Sequence, residues 1–136
     1  MVESWQVAGD ALHALHGSIT ITIVQALKAI KAASDEQRWN INLSDCLTIW
    51  KGGSLGSNIL TPLIAAVNRT PDINTIMEDP HLASDLTRRH LGWRRIVTLS
   101  IASGMMSAIL SSSLMYHDSH RIITTHRSGH LFQYNN

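Results

Sequence analysis

The residues best equipped for chemistry gather late in the chain, where His117, His120, His126 and His130 fall within fourteen residues. Imidazole titrates near neutrality, so a neutral histidine beside a carboxylate such as Asp118 can act as general acid or base. His117 and His120 sit three apart, a helical spacing that can also offer two imidazoles to one metal. No cysteine or acidic ligand pattern completes that set, so no metal site is expected. His13 and His16 share a face of an earlier helix, where partial burial with hydrogen bonding is the ordinary arrangement. Gly52-Gly53-Ser54-Leu55-Gly56-Ser57, following Lys51, could hold an anion on free backbone N–H groups. The spacing of a phosphate-binding loop is absent, so a close helix contact at small residues is the favoured reading. Arg88-Arg89 and Arg94-Arg95 surround Trp93 and read first as packing and ion pairing. Met105, Met106 and Met115 read as adaptable core filler.

Helices must position these groups. Ala11, Leu12, Leu15, Ile19, Ile23, Ala26, Leu27 and Ile30 recur at three- and four-residue spacing and predict a helix over about 7–33. Ser18 to Val24 alternates and is β-branched, which alone would suggest a strand, but its flanks outvote it. A short helix is expected over 45–50 with Ser44 as N-cap, and another over 55–68 kinked or stopped early at Pro62. Thr70-Pro71-Asp72 and Glu78-Asp79-Pro80 read as helix starts. Helices over 81–103 and 107–124 follow, then an irregular polar tail over 125–136. The expected architecture is a compact all-α domain.

The 136 residues suit a single domain, and 44% apolar against 15% charged residues excludes a disordered chain. A net charge of +1 gives no general pull toward nucleic acid or anionic lipid. With one cysteine, Cys46, no internal disulfide can form, and the N-terminus has no signal-peptide pattern, so a cytoplasmic protein is expected. Ile96 to Tyr116 is twenty-one residues without a charge, long enough for a membrane span. Six serines and Gly104 within it favour a buried helix pair broken near Ser103-Gly104 instead.

Five motifs in order and in register resemble the all-α C-terminal domain of decarboxylating 6-phosphogluconate dehydrogenase. Ala32-Ala33-Ser34-Asp35-Glu36 with Trp39-Asn40-Ile41-Asn42-Leu43 is similar to the family's A-A-S-E-E-x-x-W-x-L-x-L. Ile49-Trp50-Lys51-Gly52-Gly53-Ser54 resembles W-R-G-G-C. Ala66, Pro71, Ile73 and Asp79-Pro80 follow a family helix and its connection. Gly92-Trp93-Arg94-Arg95-Ile96-Val97 resembles S-W-R-x-V-V. Ser113 to Arg121 resembles A-L-x-Y-Y-D-x-Y-R, in which tyrosines stand where this chain has His117 and His120; the resemblance implies that one planar packing side chain replaces another there. Leu131-Phe132-Gln133 is similar to the L-I-Q that leads into the family's R-D-Y-F-G-A-H.

The resemblance also implies what to expect of activity. No strand followed by G-x-G-x-x-G occurs here, and the family's catalytic lysine and glutamate precede the matched region. The family's basic residue after the double glycine falls on Ser57. NADP-dependent decarboxylation is therefore not expected, and no cofactor is. The leading expectation is a cofactor-independent cyclase or isomerase, such as a Diels–Alderase, acting on an apolar metabolite by conformer selection and hydrogen bonding. Tyr116, His117 and His120 are its catalytic candidates; Trp50, Lys51, Asp118 and Arg121 are its substrate-binding candidates. The alternative is a non-catalytic partner of itself or of full-length 6-phosphogluconate dehydrogenase. A homodimer through the helices is expected in either case, without nucleic acid or membrane.

Overall fold

The computed structural model describes residues 3–53 and 56–127, and among them every regular element is helical. The order is α1 (Ser4–Gln37), α2 (Leu43–Lys51), α3 (Ser57–Arg69), a 3-10 helix (Ile73–Glu78), α4 (Pro80–Ala102) and α5 (Ala108–Arg127). The 34-residue α1 is the spine on which α4 and then α5 pack. Its β-branched run stays helical because Ile21, Ile23 and Val24 are buried, which outweighs local propensity. Thr20 and Thr22 donate their hydroxyls back to the His16 and Ser18 carbonyls at 2.8 Å, so the buried Thr20 leaves no hydroxyl unpaired inside the fold.

Helix ends follow local chemistry, with two departures from expectation. The N-cap of α2 is Asn42, which accepts from Ser44 N at 2.9 Å and Asp45 N at 3.3 Å, so Ser44 lies inside the helix rather than capping it. Pro62 neither stops α3 nor shortens it, since the helix continues to Arg69. The proline is the sixth of the thirteen residues, so α3 runs on through it with one i→i−4 bond forgone. Gly52, Gly53 and Gly56 make no close helix contact either. A side chain at the first two would meet only the carbonyls of its own turn, Ile49 O and Trp50 O, and at Gly56 nothing within 4 Å. Ser54 and Leu55 of that loop lie outside the described residues, as do His130 and Leu131-Phe132-Gln133.

Asp79 is the most heavily used cap. It is 2% exposed and accepts from His81 N and Leu82 N at 3.2 and 3.0 Å, starting α4 behind Pro80. The Arg69 guanidinium binds both of its oxygens, at 2.8 and 2.9 Å, tying the end of α3 to the start of α4. That guanidinium holds the Asp79 carboxyl down to about 2. At its other end α4 closes with Ser103 N on Leu99 O, then turns at Gly104, whose φ of +69° suits glycine. The uncharged stretch from Ile96 to Tyr116 is thus split between α4 and α5. By length and composition α1 would pass for a membrane span, but 44% of its most apolar window is buried against its neighbours.

The core centres on Trp93, which is fully buried. Its ring lies so close to Gly17 that a Cβ there would come within 2.6 Å of two ring carbons. One residue away, a Cβ on Gly92 would come within 2.7 Å of Asp10 Oδ1 and 3.0 Å of His13 Nδ1. Asp10, 6% exposed, is clamped by Arg95 through Nε and Nη2, both at 2.6 Å. Trp93 Nε1 donates to the Leu110 carbonyl at 3.0 Å and so brings α5 onto the pair. Gly17→Ala is expected to lower stability by about 1–3 kcal/mol, because α1 and α4 must separate or the indole must leave its rotamer. Gly9→Ala, with open space around it, should raise stability by up to about 1 kcal/mol through helix propensity. Urea denaturation midpoints of the two variants, moving in opposite directions, check the pair.

Candidate functional site: an apolar groove and a histidine seam

Packing α1 against α4 and α5 leaves one side of α1 uncovered. A groove of about 1080 Å³ runs there between α1, α2 and the start of α5. Leu15, Ile19 and Ile23 form one wall; Ile49 and Trp50 form the second; Met106, Ile109 and Leu110 form the third. Ile49 is 75% exposed, Ile109 69% and Met106 fully so, far more apolar exposure than a solvated helix face ordinarily carries. The polar side chains lining it are Ser18, Thr22 and Ser107, each already bonded within the chain. Ser18 donates to Leu15 O at 3.0 Å, Thr22 to Ser18 O at 2.8 Å, and Ser107 shares a hydrogen bond with Ser111 at 3.2 Å. Among the described residues no titratable side chain lines the groove.

The histidine-rich part of α5 lies elsewhere, along the seam with α4. His117 is 3% exposed, and its ring stacks beside Trp93 with centroids 6.2 Å apart and planes at 28°. Its Nδ1 is buried without a hydrogen-bond partner, 3.9 Å from Asp118 Oδ1. Burial first, then the Arg121 charge, pushes the imidazole down to about 4 against the opposing pull of Asp118. At neutral pH it is therefore an uncharged packing ring. Asp118 turns instead to Arg94, whose Nη2 donates to both carboxylate oxygens at 2.8 and 2.9 Å, with Arg121 Nη1 3.9 Å away.

The remaining candidates divide between these places and others. Trp50 lines the groove, and Lys51 is exposed at the end of α2. Tyr116 accepts a hydrogen bond from Lys28 Nζ of α1 at 2.9 Å, and the ammonium lies 5.6 Å from the ring centroid. His120 is half-buried, its carbonyl accepting from Thr124 Oγ1 at 3.0 Å. The structure thus brings His117, Asp118, Arg121 and Arg94 together, leaves Trp50 with the groove, and ties Tyr116 to α1. Among the described residues no group of three or more His, Cys, Asp or Glu could hold a metal ion. The Lys28–Tyr116 and Arg94–Asp118 contacts join residues 88 and 24 apart, and no short-range spacing announces them.

The seam has a pH signature. An exposed histidine in the unfolded chain titrates near 6.5 and His117 near 4, so the unfolded chain binds the extra proton throughout that window. Stability contributed by the neutral ring is complete above pH 6.5 and falls progressively as pH drops toward 4, by up to about 3 kcal/mol. His117→Phe should flatten the slope of unfolding free energy against pH between 6.5 and 4, read from urea melts at stepped pH. An unchanged slope would show that the proton uptake lies on another group.

Comparison with known proteins agrees with these landmarks. The family model for the 6-phosphogluconate dehydrogenase C-terminal domain matches residues 2–134. A decarboxylating 6-phosphogluconate dehydrogenase 1 of Oryza sativa subsp. japonica is 36% identical over 121 residues, covering 88% of this chain and 25% of that protein. The corresponding enzyme of Spinacia oleracea is 31% identical over 122 residues, with 89% and 25% covered. A chloroplastic enzyme of Arabidopsis thaliana is 30% identical over 121 residues, with 88% and 25% covered. The chain therefore spans about a quarter of the length of these relatives. By this match along almost all of its residues, the chain belongs to the 6-phosphogluconate dehydrogenase family, within its C-terminal domain.

Proposed function

We propose that these residues form a non-catalytic helical docking module, pairing through the apolar groove with a helical surface of a second copy or of a full-length 6-phosphogluconate dehydrogenase. The groove carries this reading, because among the described residues its wall is Leu, Ile, Met and Trp with no titratable group and no unpaired hydroxyl, a lining that favours apolar surface. General acid–base catalysis needs a proton carrier within hydrogen-bond reach of the bound molecule, and none of the described residues lining the groove is one. A cytoplasmic setting suits the reading, since Cys46 remains a free thiol.

A second reading keeps a cofactor-independent cyclase or isomerase, and the volume of the groove favours it, being at the top of the range for small-molecule sites. Trp50 is then the one candidate placed to touch the substrate, and acceleration would rest on conformer selection alone. The two readings part in solution. Ile109→Glu places a charge on an exposed position of the wall, so it should cost the fold little while abolishing dimerisation, or capture of the full-length enzyme, measured by light scattering and co-purification. A wild-type chain that stays monomeric and captures no 6-phosphogluconate dehydrogenase defeats the docking reading. A linear polyene cyclised no faster than in buffer defeats the enzymatic one.

A further inference from the structure

Met105, Met106 and Met115 read as core filler in the sequence, but the structure leaves all three exposed, and of the described methionines only Met77 is buried. Met106 follows the break between α4 and α5. Gly104 turns the chain at a φ of +69°, Met105 N donates to Ser100 O at 2.9 Å, and α5 begins only at Ala108. Met106 thus stands on non-helical backbone, fully exposed, and it is the one methionine among the described residues lining the groove, on the wall with Ile109 and Leu110. A thioether packs there as a hydrocarbon would, yet unlike the side chains of Ile49 and Ile109 it can be oxidised at sulfur. The hydroxyls of the described lining, on Ser18, Thr22 and Ser107, are committed within the chain, so none is free to meet a new acceptor on that wall.

We propose that Met106 is an oxidation site at which hydrogen peroxide closes the groove to apolar occupants. The sulfur lone pair attacks one peroxide oxygen, and the O–O bond breaks as the S–O bond forms. The departing hydroxide takes the proton from the new S–OH and leaves as water. Sulfur is oxidised by two electrons and the peroxide is reduced by two, which gives the sulfoxide. The sulfoxide oxygen is a strong hydrogen-bond acceptor, so an occupant seated on Met106 strips its water and returns nothing, with a loss of affinity of about tenfold or more. Exposure sets the order of attack, with Met106 ahead of the buried Met77. A methionine sulfoxide reductase restores the thioether and with it the apolar wall. The inference rests on the groove as an apolar binding surface, the premise of both readings above.

N-phenylnaphthylamine, a neutral fluorescent probe, reads the groove on the intact chain whether or not the chain associates. It should bind the reduced protein and bind Ile109→Glu much less, which locates it on the wall. Under graded hydrogen peroxide, peptide mass spectrometry should find Met106 converted well before Met77, with probe affinity falling about tenfold as Met106 is converted. Met106→Leu should keep the probe and ignore peroxide. Met106→Gln, with a comparable polar oxygen, should bind weakly from the start at an unchanged thermal melt. Met115→Leu, which removes an exposed methionine outside the groove, should leave the peroxide response as it was. A second cavity, of about 250 Å³ between α1, α3 and α4, is the internal reference. His16, Arg69 and Asp85 line it with Ile59, Leu63 and Leu82, and no methionine among the described residues does, so the His16 ring signals in NMR should not move. The proposal is overturned by a probe that ignores the reduced protein, by Met77 oxidising as fast as Met106, by full conversion of Met106 without loss of the probe, or by a loss that survives Met106→Leu. A chain that binds the probe but never pairs counts against docking and still decides the oxidation site.

Discussion

The fold rests on one close approach, the indole of Trp93 seated against the bare backbone of Gly17. With any side chain at that position α1 and α4 would stand further apart, and contacts that depend on their separation would lengthen with them. Gly92 repeats the device one residue away, opening room for Asp10, whose carboxylate Arg95 then grips with two hydrogen bonds. The buried carboxylate is tolerable because its charge is matched in bidentate geometry rather than left to the interior. Through Nε1 the same indole reaches the Leu110 carbonyl, and through its face it meets His117. One aromatic residue therefore joins three helices by shape, hydrogen bond and stacking.

This arrangement explains why the chemistry-bearing residues do not converge. Seating α5 on Trp93 turns His117 inward, where desolvation keeps it neutral and denies it solvent. Its neighbour Asp118 lies outward on the helix and is met by Arg94, and Tyr116, one residue earlier, turns toward Lys28. Consecutive helical residues point about 100° apart, so three adjacent side chains with chemical potential are dispatched to three surroundings. The first turn of α5, held by the Leu110 carbonyl, meanwhile becomes a wall of the groove.

What could be read from the sequence was local. The helices are legible because apolar spacing and caps such as Asp79-Pro80 act within a few residues of one another. The Thr20–Val24 run was settled by its flanks for the same reason. The α2 cap falls on Asn42 rather than Ser44 because both types can accept from a helix N-terminus and only the backbone decides which one does. Nothing in a residue's type, by contrast, marks Gly17 as the partner of an indole 76 positions away. The groove is hidden for a related reason. Leu15, Ile49 and Ile109 have the same chemistry as core residues, and their exposure follows from what the other helices leave uncovered.

The two concavities differ in the one property that distinguishes ligands, the field inside them. In the groove every hydroxyl of the described lining is internally bonded and none of those residues is charged, so association there gains from removing hydrocarbon from water and has little directional preference. Such a surface accepts any apolar shape that fits, and selectivity must come from the outline of the partner. The α1–α3–α4 cavity instead carries Arg69, Asp85 and an imidazole nitrogen without a partner, so an occupant that offers that nitrogen nothing leaves a polar group unsatisfied. Discrimination by polar pairing costs a competitor more than a poor outline does, because an unpaired buried polar group forfeits its full hydration. The larger concavity is therefore suited to adhesion and the smaller one to recognition, although both draw on interleaved residues of one stretch of the same long helix.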